Sequence, residues 1–308
     1  MQHRAMAGWA VFVAVSAWAG SAGAQQGTDI YVGSLSLSGG RLAVTGLKNA
    51  TNRDGYDNQP SFGPTGTFFL FTSARSGGQT DIFRYDIASG TSRPVTRTPE
   101  SEYSPTIMPG GTSFSVIRVE ADSAQRLWSF GMDGRNPTLL LEDIMPVGYH
   151  AWGDGRTLAL FVLGSPPTLQ LADANTGRAD VIEERIGRSL HRIPGQRAIS
   201  FVHKVTEDQW WIKRINLRTQ EVTPLVQTLP GSEDYAWTPG GIVVTGRGSV
   251  LFQWDAGAAA WSEVTDLSSQ GVEDITRIAV SPAADWIAIV GVRRGEGRGE
   301  RAGSRGGE

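Results

Sequence analysis

Two histidines, His150 and His191, each stand two residues before a bulky hydrophobic residue, Trp152 and Ile193, that leads into a glycine-containing turn. Neutral imidazoles ligate divalent metals and move protons near pH 7. If a repeating fold sets these two positions side by side, they could share a metal or a ligand, although no third ligand of matching position accompanies them. A second set is acidic: Asp54 and Asp57, Glu100 and Glu102, Glu233 and Asp234, Glu273 and Asp274 each come just before an apolar strand. Carboxylates gathered on one face could hold a cation or a basic peptide. Tyr149 and Arg277 stand beside the same positions. The candidate rim is therefore Asp57, Glu102, Tyr149, His150, His191, Glu233, Asp234, Asp274 and Arg277, with His150 and His191 as its metal candidates. A solvated loop rim and two polar residues at a channel mouth explain the same residues without chemistry. No catalytic residue is assigned.

Other chemistry is poorly supported. The chain has no cysteine, which excludes disulfides and thiolate metal sites. It has neither a Gly-x-Ser-x-Gly elbow nor a His-Glu-x-x-His pair. Asp173 to Gly177 with Glu184 has a calcium-loop flavour, but its glycine comes one place early and hairpin turn chemistry accounts for it. Strand alternation puts Trp210 and Trp211 on opposite faces, so at least one of them belongs to the core. With a net charge of -3 and no basic stripe, nucleic acid and anionic membranes are not expected partners. No cofactor is expected beyond a divalent cation in a channel.

The elements that must position these residues follow from a repeat. An aromatic or aliphatic residue, a turn, a glycine or aspartate and an apolar run recur six times, with Gly66, Gly111, Gly155, Gly195, Gly241 and Asp285 spaced 45, 44, 40, 46 and 44 residues apart. That is the length of a four-stranded propeller blade. In the clearest copy, strand a is near Pro60 to Gly63, b is Thr67 to Thr72, c is Asp81 to Tyr85 and d is Ser92 to Thr96. The sixth copy supplies only strands a and b, at Ile275 to Gly291. Asp29 to Leu47 reads as strands c and d with the turn Ser38-Gly39-Gly40 and has no a and b of its own. The expected fold is thus all-β: a six-bladed β-propeller with four antiparallel strands per blade, in which N-terminal strands complete the last blade and remove an open sheet edge.

Outside residues 25–293 the composition changes. Residues 1–24 have a basic start, an apolar stretch and Ala22-Gly23-Ala24, which reads as a secretory leader cleaved before Gln25, with an uncleaved anchor as the alternative. Residues 294–308 hold no apolar residue larger than Ala and read as a disordered Arg/Gly/Glu tail. A periplasmic or secreted protein without stable membrane insertion, and a monomer, is expected.

Gln59 to Arg97 carries a Pro-x-Phe-Gly-Pro-x-Gly turn, a Phe-Thr-Ser-x-Arg strand end at Phe71 to Arg75, an Asp-Ile-Phe opening at Asp81 and a Val-Thr-Arg close at Val95. This stretch resembles the TolB-like WD40-type propeller repeat, and Ser104 to Val116 and Tyr235 to Val244 are similar with less of the motif. The fourth blade departs furthest, because His191 to Gly195 lacks the Ser-Pro-Asp-Gly turn. The resemblance implies an exported six-bladed propeller that binds another protein. The name-giving protein also carries an α/β domain before its propeller, for which Gln25 to Asp29 leaves no room.

Two functions are therefore in view. The leading one is a non-enzymatic propeller that binds a protein or peptide on one face of the ring. The alternative is a metal-assisted lyase or hydrolase acting on a sugar-type substrate at the channel mouth through His150 and His191, in the manner of propeller lyases that use histidine clusters on pectin fragments.

Overall fold

The structure, a computed structural model, describes residues 27–75 and 78–293; the expected leader and tail lie outside the described residues. Blade 1 consists of strands β3 (Asp57–Phe62), β4 (Phe68–Ala74), β5 (Thr80–Asp86) and β6 (Thr91–Pro94), preceded in the chain by β1 (Thr28–Ser38) and β2 (Arg41–Asn49). Blade 2 is β7 (Ser101–Ile107), β8 (Ser113–Val119), β9 (Gln125–Gly131) and β10 (Thr138–Leu141). Blade 3 is β11 (Val147–Trp152), β12 (Thr157–Val162), β13 (Thr168–Asp173) and β14 (Ala179–Glu184). Blade 4 is β15 (Ile186–Arg192), β16 (Ala198–Lys204), β17 (Trp210–Asn216) and β18 (Val222–Gln227). Blade 5 is β19 (Tyr235–Trp237), β20 (Val243–Arg247), β21 (Val250–Asp255) and β22 (Ala260–Asp266). Blade 6 takes β23 (Val272–Val280) and β24 (Trp286–Arg293) from one end of the chain and β1 and β2 from the other, in the order β2-β1-β24-β23.

The closing seam is antiparallel and in register from Thr28 opposite Val292 to Ser34 opposite Trp286. Alternation along β1 sends Ile30 and Val32 toward blade 1, where they meet Phe69 and Phe71, and sends Tyr31 and Leu35 toward blade 5, where they meet Leu251. Each such side chain withdrawn from water stabilises the ring by about 1.5 to 3 kcal/mol. The split blade is therefore cemented on both faces.

The rest of the core follows the same rule. Buried apolar residues fall into six clusters, each joining neighbouring blades: blades 6 and 1, 1 and 2, 2 and 3, 3 and 4, 4 and 5, and 5 and 6. The second strand of each blade is sandwiched, so Phe69, Leu70 and Phe71 in β4, or Ile287 to Val290 in β24, are fully buried in continuous runs. Close approach of blades is enforced where a side chain would not fit. Gly134 has φ 77°, and a Cβ there would lie 2.0 Å from the Val95 carbonyl oxygen of blade 1.

Asp173 belongs to a hairpin turn. Its Oδ1 accepts the backbone N–H groups of Asn175 and Thr176 at 2.9 and 3.2 Å, and its Oδ2 pairs with Arg156. Trp210 packs at the junction of blades 4 and 5 beneath Lys204, whose Nζ stands 4.2 Å from the ring centroid. Among the described residues no helix is long and apolar enough to cross a membrane.

Candidate functional site

The innermost strands β3, β7, β11, β15, β19 and β23 surround a cavity of roughly 730 Å³ on the propeller axis. At one end, where these strands begin, the wall carries Gln59, Ser104, Tyr149, Arg188 and Arg277; toward the other it carries Trp152, Arg192, Trp237 and a run of prolines that includes Pro109, Pro194 and Pro282.

His150 and His191 both line this cavity but do not form a pair. The backbone bond that closes each a–b turn starts at Gly153 in blade 3 and at Ile193 in blade 4, running to Thr157 and Ala198. The turn of blade 3 is thus the shorter one, and Trp152 corresponds to Arg192, not to Ile193. His150 then matches Leu190, and His191 matches Ala151, one residue out of phase. A one-residue slip turns a side chain to the opposite face. His150 accordingly packs toward blade 2, with Nε2 2.6 Å from Ser115 Oγ, and His191 packs edge-on against Tyr235 of blade 5 at 4.7 Å between ring centroids. Burial, the dominant influence on both, lowers the imidazole pKa to about 3 for His150 and about 4 for His191, so both are neutral at pH 7. Among the described residues, no three His, Asp or Glu side chains come together as a metal-ligating group.

The Ser115 and His150 contact has the look of a nucleophile and base. Its surroundings argue otherwise. Ser115 is fully buried and also accepts the Trp152 indole N–H at 2.9 Å. Between blades 4 and 5 the same construction recurs with Tyr235 in place of histidine: Tyr235 Oη and Trp237 Nε1 both donate to Ser200 Oγ at 2.8 Å. A tyrosine that substitutes freely for the base marks a packing device.

The acidic candidates are mostly buried and internally satisfied. Asp57 is fully buried, accepts from Ser73 Oγ at 2.5 Å and lies 3.7 Å from Arg53; burial pushes its pKa up. Glu102, also fully buried, accepts from Thr96 at 3.0 Å and from Thr98, with Arg118 at 3.8 Å; burial outweighs these partners and raises its pKa to about 7. Neither lines the cavity. Asp274 is exposed. The rim expected from the sequence is thus not a continuous acidic ring.

Glu233 and Asp234 do reach the mouth, but behind cations. Arg188 binds Asp234 at 2.5 Å and Glu233 at 3.2 Å, Arg277 binds Asp234 at 3.3 Å, and Lys204 binds Glu233 at 2.8 Å. Burial acts to lower the Arg188 pKa, yet Asp234 and Glu233 outweigh it and hold the guanidinium above its ordinary value. Arg277 also lies over the Tyr149 ring, 4.7 Å from its centroid. Burial holds the Tyr56 hydroxyl protonated far above its usual range, with Arg277 acting against it.

Arg188 lines the cavity and is missing from the candidate set. The signal for Arg188 was its place: a cation where other blades have an acid.

The solved structure of a putative TolB from Agrobacterium tumefaciens superposes with a TM-score of 0.68 at 15% identity, covering 86% of this chain and 98% of that one. The two share a six-bladed propeller fold. TolB from Acinetobacter baumannii gives a TM-score of 0.56 at 14% identity over 87% of this chain, which spans 64% of that longer one. An oligogalacturonate lyase in complex with manganese gives 0.53 at 12% identity, with 82% of each chain covered. No family model matches the chain, and no curated protein matches it in sequence. At these identities the likeness concerns the six-bladed ring itself.

Proposed function

We propose that this TolB-type propeller is an exported, non-enzymatic binding module that takes a protein or peptide partner at the channel mouth where the innermost strands begin. The observation that carries the reading is the axial cavity of roughly 730 Å³, walled by all six innermost strands and large enough for several side chains of a partner. The residues that an enzyme reading would use are committed elsewhere: His150 to Ser115, His191 to the face of Tyr235. Of the three solved structures compared above, two bear the TolB name and one is a lyase, so fold alone does not choose between binding and catalysis.

The test is to fill the channel. Ser61 lines the cavity from blade 1, and Ser61→Trp occupies part of its volume without touching the interblade clusters. The wild-type ring, cross-linked in an envelope extract, is expected to capture partners that the Ser61→Trp ring does not. Equal capture by both would remove the channel from the binding site.

A further inference from the structure

The charge of the channel wall is opposite to that of the whole chain. Arg188, Arg192 and Arg277 line the cavity, and among the described residues no aspartate, glutamate or lysine does. The chain itself carries a net charge of -3. At the mouth three cations, Arg188, Lys204 and Arg277, meet two carboxylates, Glu233 and Asp234, which leaves one positive charge uncancelled. At the opposite end Arg192 is exposed. The nearby carboxylates of Asp154 and Asp285 are tied into their own turns, the first accepting the N–H groups of Arg156 and Thr157, the second bonded to Ser281 Oγ at 2.6 Å. A cleft with low-dielectric walls and one sign of charge concentrates ligands of the other sign.

We propose that the channel is an acceptor for an acidic peptide segment, whose carboxylates pair with Arg277 and Arg188 at one end and with Arg192 at the other. The proposal deepens the binding reading above and rests on it. Arg188 and Arg192 stand four residues apart on β15, up to roughly 13 Å along the wall at the rise of a strand, with the strand irregular between Ile186 and Leu190. An extended peptide with acidic side chains about four residues apart matches that span. Between the charges the wall mixes apolar side chains, Leu190, Ile278 and Pro105 among them, with the hydroxyls of Thr106 and Ser189, a surface that suits both the side chains and the amides of an extended peptide. The indole N–H groups of Trp152 and Trp237 are spent on Ser115 and Ser200.

Calorimetric titration of residues 25–308 with three probes tests this: an eight-residue peptide with Glu at the first and fifth positions among Ala and Val, its Lys counterpart, and tetragalacturonate. The Glu peptide is expected to bind, with affinity falling at least fivefold between 50 and 300 mM salt, and the Lys peptide is not. Arg277→Gln and Arg192→Gln are each expected to weaken the Glu peptide about tenfold. Arg192, being exposed, can be replaced without disturbing the fold, and an unchanged melting temperature checks this. Equal or tighter binding of the Lys peptide would overturn the acidic-ligand proposal and leave the binding module standing. Tighter binding of tetragalacturonate than of the Glu peptide would overturn the peptide as occupant. Failure of every probe would overturn the acidic-peptide proposal and leave the channel itself to the Ser61→Trp test.

Discussion

His150 Nε2 lies 2.6 Å from Ser115 Oγ, across the boundary between blades 3 and 2, and Tyr235 Oη lies 2.8 Å from Ser200 Oγ across the boundary between blades 5 and 4. In each case a tryptophan two residues further along the innermost strand donates its indole N–H to the same serine. One buried hydroxyl thus fastens two side chains of the next blade.

The fastening predicts an asymmetry between its members. Ser115→Ala strands the His150 ring and the Trp152 N–H in a buried junction, and is expected to cost about 2 to 4 kcal/mol in urea unfolding. His150→Tyr copies the blade 5 arrangement and is expected to cost less than about 1 kcal/mol at pH 7. If the tyrosine variant proved the weaker of the two, the equivalence of the junctions would be wrong.

The same tyrosine variant has a pH signature. His150, held near pKa 3 in the fold against an ordinary value near 6.5, gains its proton far more readily when unfolded. Its lowered folded pKa means that stability is lost as pH falls from about 6.5 toward 4. His150→Tyr should therefore lose less stability than wild type between pH 7 and pH 4.5, by up to about 2 kcal/mol. Parallel unfolding curves at the two pH values read this directly.

Glu102 carries the opposite sign. Its carboxyl is raised from 4.5 to about 7 by burial, so its contribution is fully present below pH 4.5 and is lost as pH rises through 7. Glu102→Gln keeps an acceptor for Thr98 and Thr96 and has no proton to release. Relative to wild type the variant is expected to grow more stable from pH 5 to pH 8, by up to about 3 kcal/mol. A constant difference across that range would mean that Arg118 keeps the carboxylate charged.

At the channel mouth, Asp234→Asn removes the anion shared by Arg188 and Arg277. Stability is expected to fall by about 1 to 3 kcal/mol, because two half-buried cations lose a partner. Acidic-peptide affinity, measured at equal folded fraction, is expected to rise. A fall in both would place Asp234 among the ligand's own contacts.

The blade count and the closure at β1 and β2 were legible in the sequence because a period near 44 residues and alternating strands report on local geometry. The phase of His191 was not. It depends on a turn one residue shorter after Trp152 than after Arg192, and the sequence alone suggested the reverse by matching Trp152 with Ile193. The acidic positions were found, but their partners were out of reach of a local reading. Glu233 and Asp234 answer to Arg188 and Arg277, which lie in other blades. Only the closed ring shows that the carboxylates stand behind arginines and that the channel wall is cationic.

The seam between Thr28 and Val292 also sets an order of events. Blades 1 to 5 can pair their own strands as soon as each has emerged, but β24, the partner of β1, is the last strand of the ring to be made. Until then β1 is paired on one edge alone, with β2, and its other edge is open. The ring thereby checks the integrity of its own chain: a polypeptide cut short anywhere before β24 leaves the open edge of β1 exposed, and only a chain that reaches β24 can latch shut.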